Sequence, residues 1–191
     1  MPGSMMPMRS ARPLLPALTL SLLVLAGCSE RPRAPVLRDD PVYQNDREGF
    51  RFLAPEGWEQ QMRGELPPTR VTRERTLVDY RRTSGPTAAS FRVSAIDLPA
   101  TADLAAHLST SPVLNIRKWR ATGTPQETKV GSAAGTRYEL AGRAEGEEMA
   151  QEVVAVRRGE RVYLFSSLFP MRDTEVRQQL RQVVASVIWK Q

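Results

Sequence analysis

The chain has 191 residues, one cysteine, one histidine and a formal charge of +6, of which Arg9 and Arg12 supply two. A single cysteine excludes an internal disulfide, and one Cys with one His argues against a structural zinc site, so the fold stands on packing alone. The apolar and charged fractions are those of an ordinary globular protein, and the length suits one compact domain better than two.

The first 27 residues read as an export signal. Arg9 and Arg12 form a positive start, residues 14–26 form an apolar run interrupted once by Pro16, and small residues close it. That run is shorter than the roughly 20 residues a membrane-spanning helix needs. Met1, Met5, Met6 and Met8 all precede the charges, so each is a possible start, and Met8 gives a conventionally short signal.

The run ends in Leu25, Ala26, Gly27 and Cys28. This segment resembles the bacterial lipobox. The resemblance implies diacylglyceryl transfer to the Cys28 sulfur and cleavage between Gly27 and Cys28, often with acylation of the new amine. A thiolate is the strongest nucleophile available for that transfer. Two or more acyl chains hold a protein on a bilayer where one does not. Ser29, where an inner-membrane retention signal would place Asp, favours the outer membrane by similarity to enterobacterial sorting. The expected location is the periplasmic face of a bacterial envelope membrane.

Residues 28–48 read as a lipidated cysteine and a flexible tether. Pro32, Pro35 and Pro41 deny a helix, and the stretch is rich in Arg, Asp and Glu. Residues 49–191 read as one domain. Phe50 and Phe52 flank Arg51 as in a half-buried strand, and Pro55, Glu56 and Gly57 form a turn before Trp58. Strands are expected over 73–82 and 89–98. In the second, Phe91, Val93 and Ala95 share a face, and the alternation weakens at Ile96, Asp97 and Leu98. Thr101 is expected to cap a short helix over 102–108, with Asp103 in its first turn, and Pro112 to prevent its continuation. Residues 113–120, with Ile116 and Trp119, fit a helix or an irregular segment.

Further strands are expected over 136–140, 152–157 and 161–168. Arg158, Gly159 and Glu160 make a tight hairpin between the last two, with Gly159 at positive φ. Tyr163 and Phe165 share one face and Val162 and Leu164 the other. Both faces are apolar, which predicts a central strand covered on both sides. A final helix is expected with Asp173 or Thr174 as its N-cap and Glu175 in its first turn. Val176, Leu180, Val183, Val184 and Val187 form one apolar stripe, and Arg177 and Arg181 lie mostly off it.

Two stretches point to a family. Residues 50–58, running from Phe50 to Pro55-Glu56-Gly57-Trp58, resemble the opening of PsbP-like domains. The strand beginning Gly159-Glu160-Arg161-Val162-Tyr163, the loop at Pro170 and the ending Val184-Ala185-Ser186-Val187 are similar to their close. The resemblance covers about residues 49–189. It implies an α+β fold, an α/β/α sandwich of mostly antiparallel sheet flanked by helices. The family, which spans photosystem extrinsic subunits, a nuclear-import factor and many bacterial lipoproteins, brings no shared catalytic set and no cofactor motif that matches this chain.

The residues themselves assemble no enzyme. His107 lies in the short helix with no adjacent nucleophile pattern. Gly131, Ser132, Ala133, Ala134 and Gly135 put serine in the wrong place for a nucleophile elbow and read as a turn. Glu145, Glu147 and Glu148 lack the spacing of a calcium loop and read as a hairpin end. Trp58, Trp119 and Trp189 read as packing residues, a subset of which could line a ligand groove. The arginines form no aromatic-interleaved cluster, which argues against nucleic acid. The expected role is non-enzymatic: a membrane-anchored module binding another envelope protein. The alternative is a small-molecule or lipid binding protein with a ligand between sheet and helix. A hydrolase would need a convergent Ser, His and carboxylate.

Overall fold

Apolar residues recur at every second position in the longest runs of this chain, so strands outweigh helices among the described residues. The computed structural model describes residues 41–62, 73–83, 88–110, 119–144 and 146–190, with side chains at 109 and 110 outside the description. The predicted signal, Gly27, Cys28, Pro112, residues 113–118 and Glu145 lie outside the described residues.

Eleven strands and two helices follow in the described chain: β1 (Val42–Asn45), β2 (Phe50–Leu53), β3 (Glu59–Gln60), β4 (Arg75–Arg82), β5 (Ala89–Asp97), α1 (Leu104–Thr110), β6 (Arg120–Ala121), β7 (Gln126–Val130), β8 (Ala133–Ala144), β9 (Glu147–Arg158), β10 (Arg161–Pro170), α2 (Thr174–Ala185) and β11 (Ile188–Trp189). A large sheet runs β3-β4-β5-β10-β9-β8-β6, with β7 also pairing β8, and a small sheet runs β1-β2-β11. The pairings are antiparallel throughout.

Strand β10 is the predicted central strand. It pairs with β5 on one side and β9 on the other. Tyr163, Phe165 and Phe169 enter one core, while Val162 and Leu164 enter a second core on the opposite face. The Gly159 turn joins β9 to β10 at φ +62°, a conformation open to glycine without steric cost. Leu77 and Val78 are adjacent yet both buried in the first core. A register shift between Thr76 and Val78 makes this possible by inserting one residue into β4.

Helix α2 buries Val176, Leu180, Val183 and Val184 against the first core, a gross gain on the order of 8 kcal/mol at about 2 kcal/mol per side chain. Asp173 is its cap, accepting from the Val176 N–H at 3.1 Å. Val187, the last residue of the predicted stripe, is buried beyond the end of the helix.

The structure corrects two expectations. The domain begins before residue 49, because Val42–Asn45 pairs in full register with Phe50–Leu53. The α1 cap is Asp103 and not Thr101: the Asp103 carboxylate accepts from the N–H groups of Ala105 and Ala106 at 2.9 and 3.2 Å, and the helix starts at Leu104. The expected sandwich is matched only broadly. Leu104 and Leu108 of α1 pack on the second core, but the first core is shared by α2 and the small sheet, through Phe50, Phe52 and Trp189. The fold is α+β and mostly antiparallel, with few helices.

Candidate functional site

The turn at Pro55, Glu56 and Gly57 turns the chain sharply, with Gly57 at φ +77°, and delivers Trp58 to the flank of α2. There the Trp58 Nε1–H donates to Gln179 Oε1 at 3.0 Å, and the Gln179 amide donates to the Glu56 carbonyl at 2.8 Å. Arg82 reaches from β4 to the Asp173 carboxylate at 2.9 Å, bracing the same end of the helix. Between these elements lies an open groove of about 490 Å³, lined by Glu56, Trp58, Arg82, Glu175, Gln178 and Gln182 among others. Apart from Trp58 and Val176 its walls are polar. It offers amide donors and acceptors, two carboxylates and a guanidinium to a polar partner segment.

A second hollow, of about 240 Å³, lies on the small sheet, lined by Gln44, Asp46, Phe50, Arg51, Ile188 and Lys190 among others. The space between the large sheet and α2, by contrast, is filled. Phe52, Phe91, Val93, Phe165 and Leu180 are all fully buried there, and Phe52 meets Phe91 edge-on with ring centroids 5.7 Å apart.

Two charge networks frame these surfaces. Glu48, in the β1–β2 turn, accepts from Arg161 at 2.6 and 3.2 Å and from the Tyr163 hydroxyl at 3.1 Å. Burial and the Glu48 carboxylate push the Tyr163 phenol up to about 12. On α2, Arg177 and Arg181 both reach the carboxylates of Glu139 on β8 and Glu152 on β9. Burial alone would raise the Glu152 carboxyl, but hydrogen bonds from Arg181 and Arg177, and their charges, outweigh it and hold it below its ordinary value.

Sequence reasoning missed both networks. In sequence Glu48 falls at the end of the polar tether, and the arginines read only as residues off the apolar stripe. The one local signal is Glu152 directly ahead of the apolar run Val153, Val154, Ala155 and Val156, where a buried carboxylate demands a cation.

The other singled-out residues are scattered. His107 is half-buried in the last turn of α1. Gly131 and Ser132 form the β7–β8 hairpin turn, with a strand and not a helix after it. Glu147 pairs with Arg172 at 2.8 Å, and Glu148 lies 3.9 Å from Arg143. Among the described residues no cluster of three or more His, Cys, Asp or Glu could hold a metal ion. Trp119 packs so closely on Gly142 that a Cβ there would lie 2.7 Å from its ring. Trp189 is buried and donates to the Val130 carbonyl at 2.8 Å. Of the three tryptophans, Trp58 borders the larger groove and Trp189 the smaller.

No protein-family model matches the sequence, and no curated protein matches it either. Solved structures do. The cyanobacterial PsbP protein CyanoP of Synechocystis superposes with a TM-score of 0.57 at 13% identity, covering 78% of this chain and 91% of that one. The fold is PsbP-like. LpqN of Mycobacterium tuberculosis, described as involved in cell envelope biogenesis, superposes with a TM-score of 0.50 at 12% identity, covering 79% of this chain and 90% of that one. At such identity these likenesses carry the fold and not the activity. In this PsbP-like domain the Pro-x-Gly-Trp segment serves to lock the β2–β3 connection onto α2.

Proposed function

We propose that this chain is a membrane-anchored lipoprotein whose PsbP-like domain is a non-enzymatic interaction or assembly module of the cell envelope. The observation that carries the reading is the lipobox at Leu25, Ala26, Gly27 and Cys28, which ends the apolar run and lies a short stretch ahead of β1. The lipid tail is an address: it concentrates the domain at a membrane without supplying chemistry. Ser29 after Cys28 favours the outer membrane. The groove beside Trp58 is the surface offered to a partner, since its walls are more polar than apolar and present paired donors and acceptors. The filled space between sheet and α2 weighs against the alternative of a ligand held there.

Two measurements test the reading. Mass spectrometry of the mature protein should find an amino terminus at Cys28 carrying a diacylglyceryl group, and Cys28→Ser should accumulate as a larger, unacylated precursor with its fold intact. An unmodified terminus elsewhere refutes the anchor. Mild crosslinking in membranes should capture a reproducible envelope protein, and the surface changes Gln178→Arg and Gln182→Arg should weaken that capture. Failure to capture any partner in repeated trials counts against the module reading.

A further inference from the structure

The small sheet has an outer face that none of the described elements covers. On β2, Phe50 and Phe52 point into the core, so Arg51 and Leu53 point outward. Val42 stands opposite Leu53, and Gln44 and Ile188 flank Arg51 on either side. Val42 is 54% exposed, Leu53 43% and Ile188 54%. These are three of the four large exposed apolar residues among those described, brought onto one face by strands from both ends of the domain. Arg51 and Lys190 lie beside them and line the 240 Å³ hollow of the same sheet. The Lys190 ammonium sits 3.3 Å from Asp46, and both are exposed, so that pairing is weak and yields readily to other anions.

We propose that this face, made of Val42, Leu53 and Ile188 with Arg51 and Lys190 beside them, rests on the anionic lipid surface to which the chain is anchored. The inference rests on the lipoprotein reading. Residues 29–41, thirteen in all, separate Cys28 from β1. Fully extended they reach at most about 45 Å, and a flexible chain of that length spans roughly 20 Å. Strand β1, which carries Val42, is thus the element of the fold nearest the anchor along the chain, and a link of that length lets its face reach the membrane. Apolar side chains flanked by two cations, one of them only weakly held by Asp46, suit an interface of anionic headgroups over acyl chains.

A second copy of the chain fits less well. Three strands at about 4.8 Å spacing and four residues or fewer in length give a face of only a few hundred Å², below the roughly 800 Å² per partner of a stable interface. A lipid surface needs no such area, because the anchor already holds the domain at an effective concentration on the order of millimolar.

The test uses the full lipidated protein, purified from membranes and reconstituted into phosphatidylcholine vesicles with and without phosphatidylglycerol. Leu53→Cys and Ile188→Cys are labelled with a fluorophore and read by lipid-borne nitroxide quenchers. Arg143→Cys, at the far end of the long β8–β9 hairpin, serves as the distant reference. Quenching at 53 and 188 should exceed that at 143 several-fold in vesicles containing phosphatidylglycerol. Adding Val42→Glu and Ile188→Glu to the Leu53→Cys protein should reduce it to the reference level without releasing the protein. Equal quenching at all three sites, with the protein still floating with vesicles, overturns this proposal and leaves the anchor standing. Disulfide-linked dimers through position 188 overturn it in favour of a second copy. Failure to float overturns the anchor and the proposal together.

Discussion

Glu48 and Arg161 are 113 residues apart in sequence and meet in a two-point ion pair, at 2.6 and 3.2 Å, that joins the β1–β2 turn to the start of the central strand β10. The Glu48 side chain is only 6% exposed and the Arg161 side chain 20%. Asp97 also accepts from Arg161, the Tyr163 hydroxyl donates to Glu48 at 3.1 Å, and Arg75 lies 3.9 Å away. The pair is the polar clamp that holds the small sheet against the large one.

Glu48→Ala should therefore destabilise the domain by about 3 kcal/mol, at the lower end of the cost of leaving one partner of a buried pair behind, because Asp97 still engages Arg161. Glu48→Gln keeps the shape and one acceptor, and should cost about 1–2 kcal/mol. Urea denaturation midpoints of the full chain measure both. An Ala variant as stable as the parent would show that the clamp is ornamental.

Alkaline stability follows from two tyrosines. Burial pushes the Tyr80 and Tyr163 phenols up to about 12, helped by Tyr43 at the first and Glu48 at the second. In the unfolded chain both titrate near 10. A raised folded value means that stability is fully present below pH 10 and is lost as pH rises through 12. Melting temperature should hold up to pH 10 and fall steeply above it, with tyrosinate absorbance rising in step. Tyr163→Phe should make that fall shallower, and an unchanged slope would contradict the assignment.

At the acid end the sign reverses. Arg177 and Arg181 hold the Glu152 carboxyl below its ordinary 4.5. Its contribution is present above that value and is lost as pH falls below it. Glu152→Gln should cost about 2–3 kcal/mol at neutral pH, since both arginines lose their most buried acceptor, and should flatten the loss of stability on acidification. A variant that keeps the parent's full acid dependence would place that dependence elsewhere.

Gly131 and Gly159 offer a matched pair. Both turn at positive φ, +58° and +62°. A Cβ at Gly159 meets open space, while one at Gly131 collides with the Val187 backbone carbonyl as the chain approaches β11. Gly159→Ala should cost about 1–2 kcal/mol from backbone conformation alone. Gly131→Ala should cost clearly more and should disturb the fluorescence of Trp189, whose indole donates to the adjacent Val130 carbonyl. Equal costs for the two would mean that β11 gives way freely.

The sequence by itself determined what depends on neighbours along the chain. The two-faced apolar pattern of residues 162–165 marks a strand covered on both sides, because side chains alternate with period two. The stripe from Val176 to Val187 marks a helix with one buried face, and Gly159 marks a turn that needs positive φ. The Pro-x-Gly-Trp segment was legible as a motif, though the groove it borders was not, since the opposite wall belongs to a helix more than a hundred residues later. Only the tertiary structure decided that β1 joins the fold, because a four-residue strand of Val, Tyr, Gln and Asn carries too little apolar period to announce itself until Phe50–Leu53 and Ile188–Trp189 come beside it. The same holds for the pairing of Glu48 with Arg161 and of Arg177 and Arg181 with Glu139 and Glu152. A charge read in sequence is assigned to water by default, and its burial becomes favourable only when the fold brings an opposite charge from a distant strand or helix to within hydrogen-bond reach.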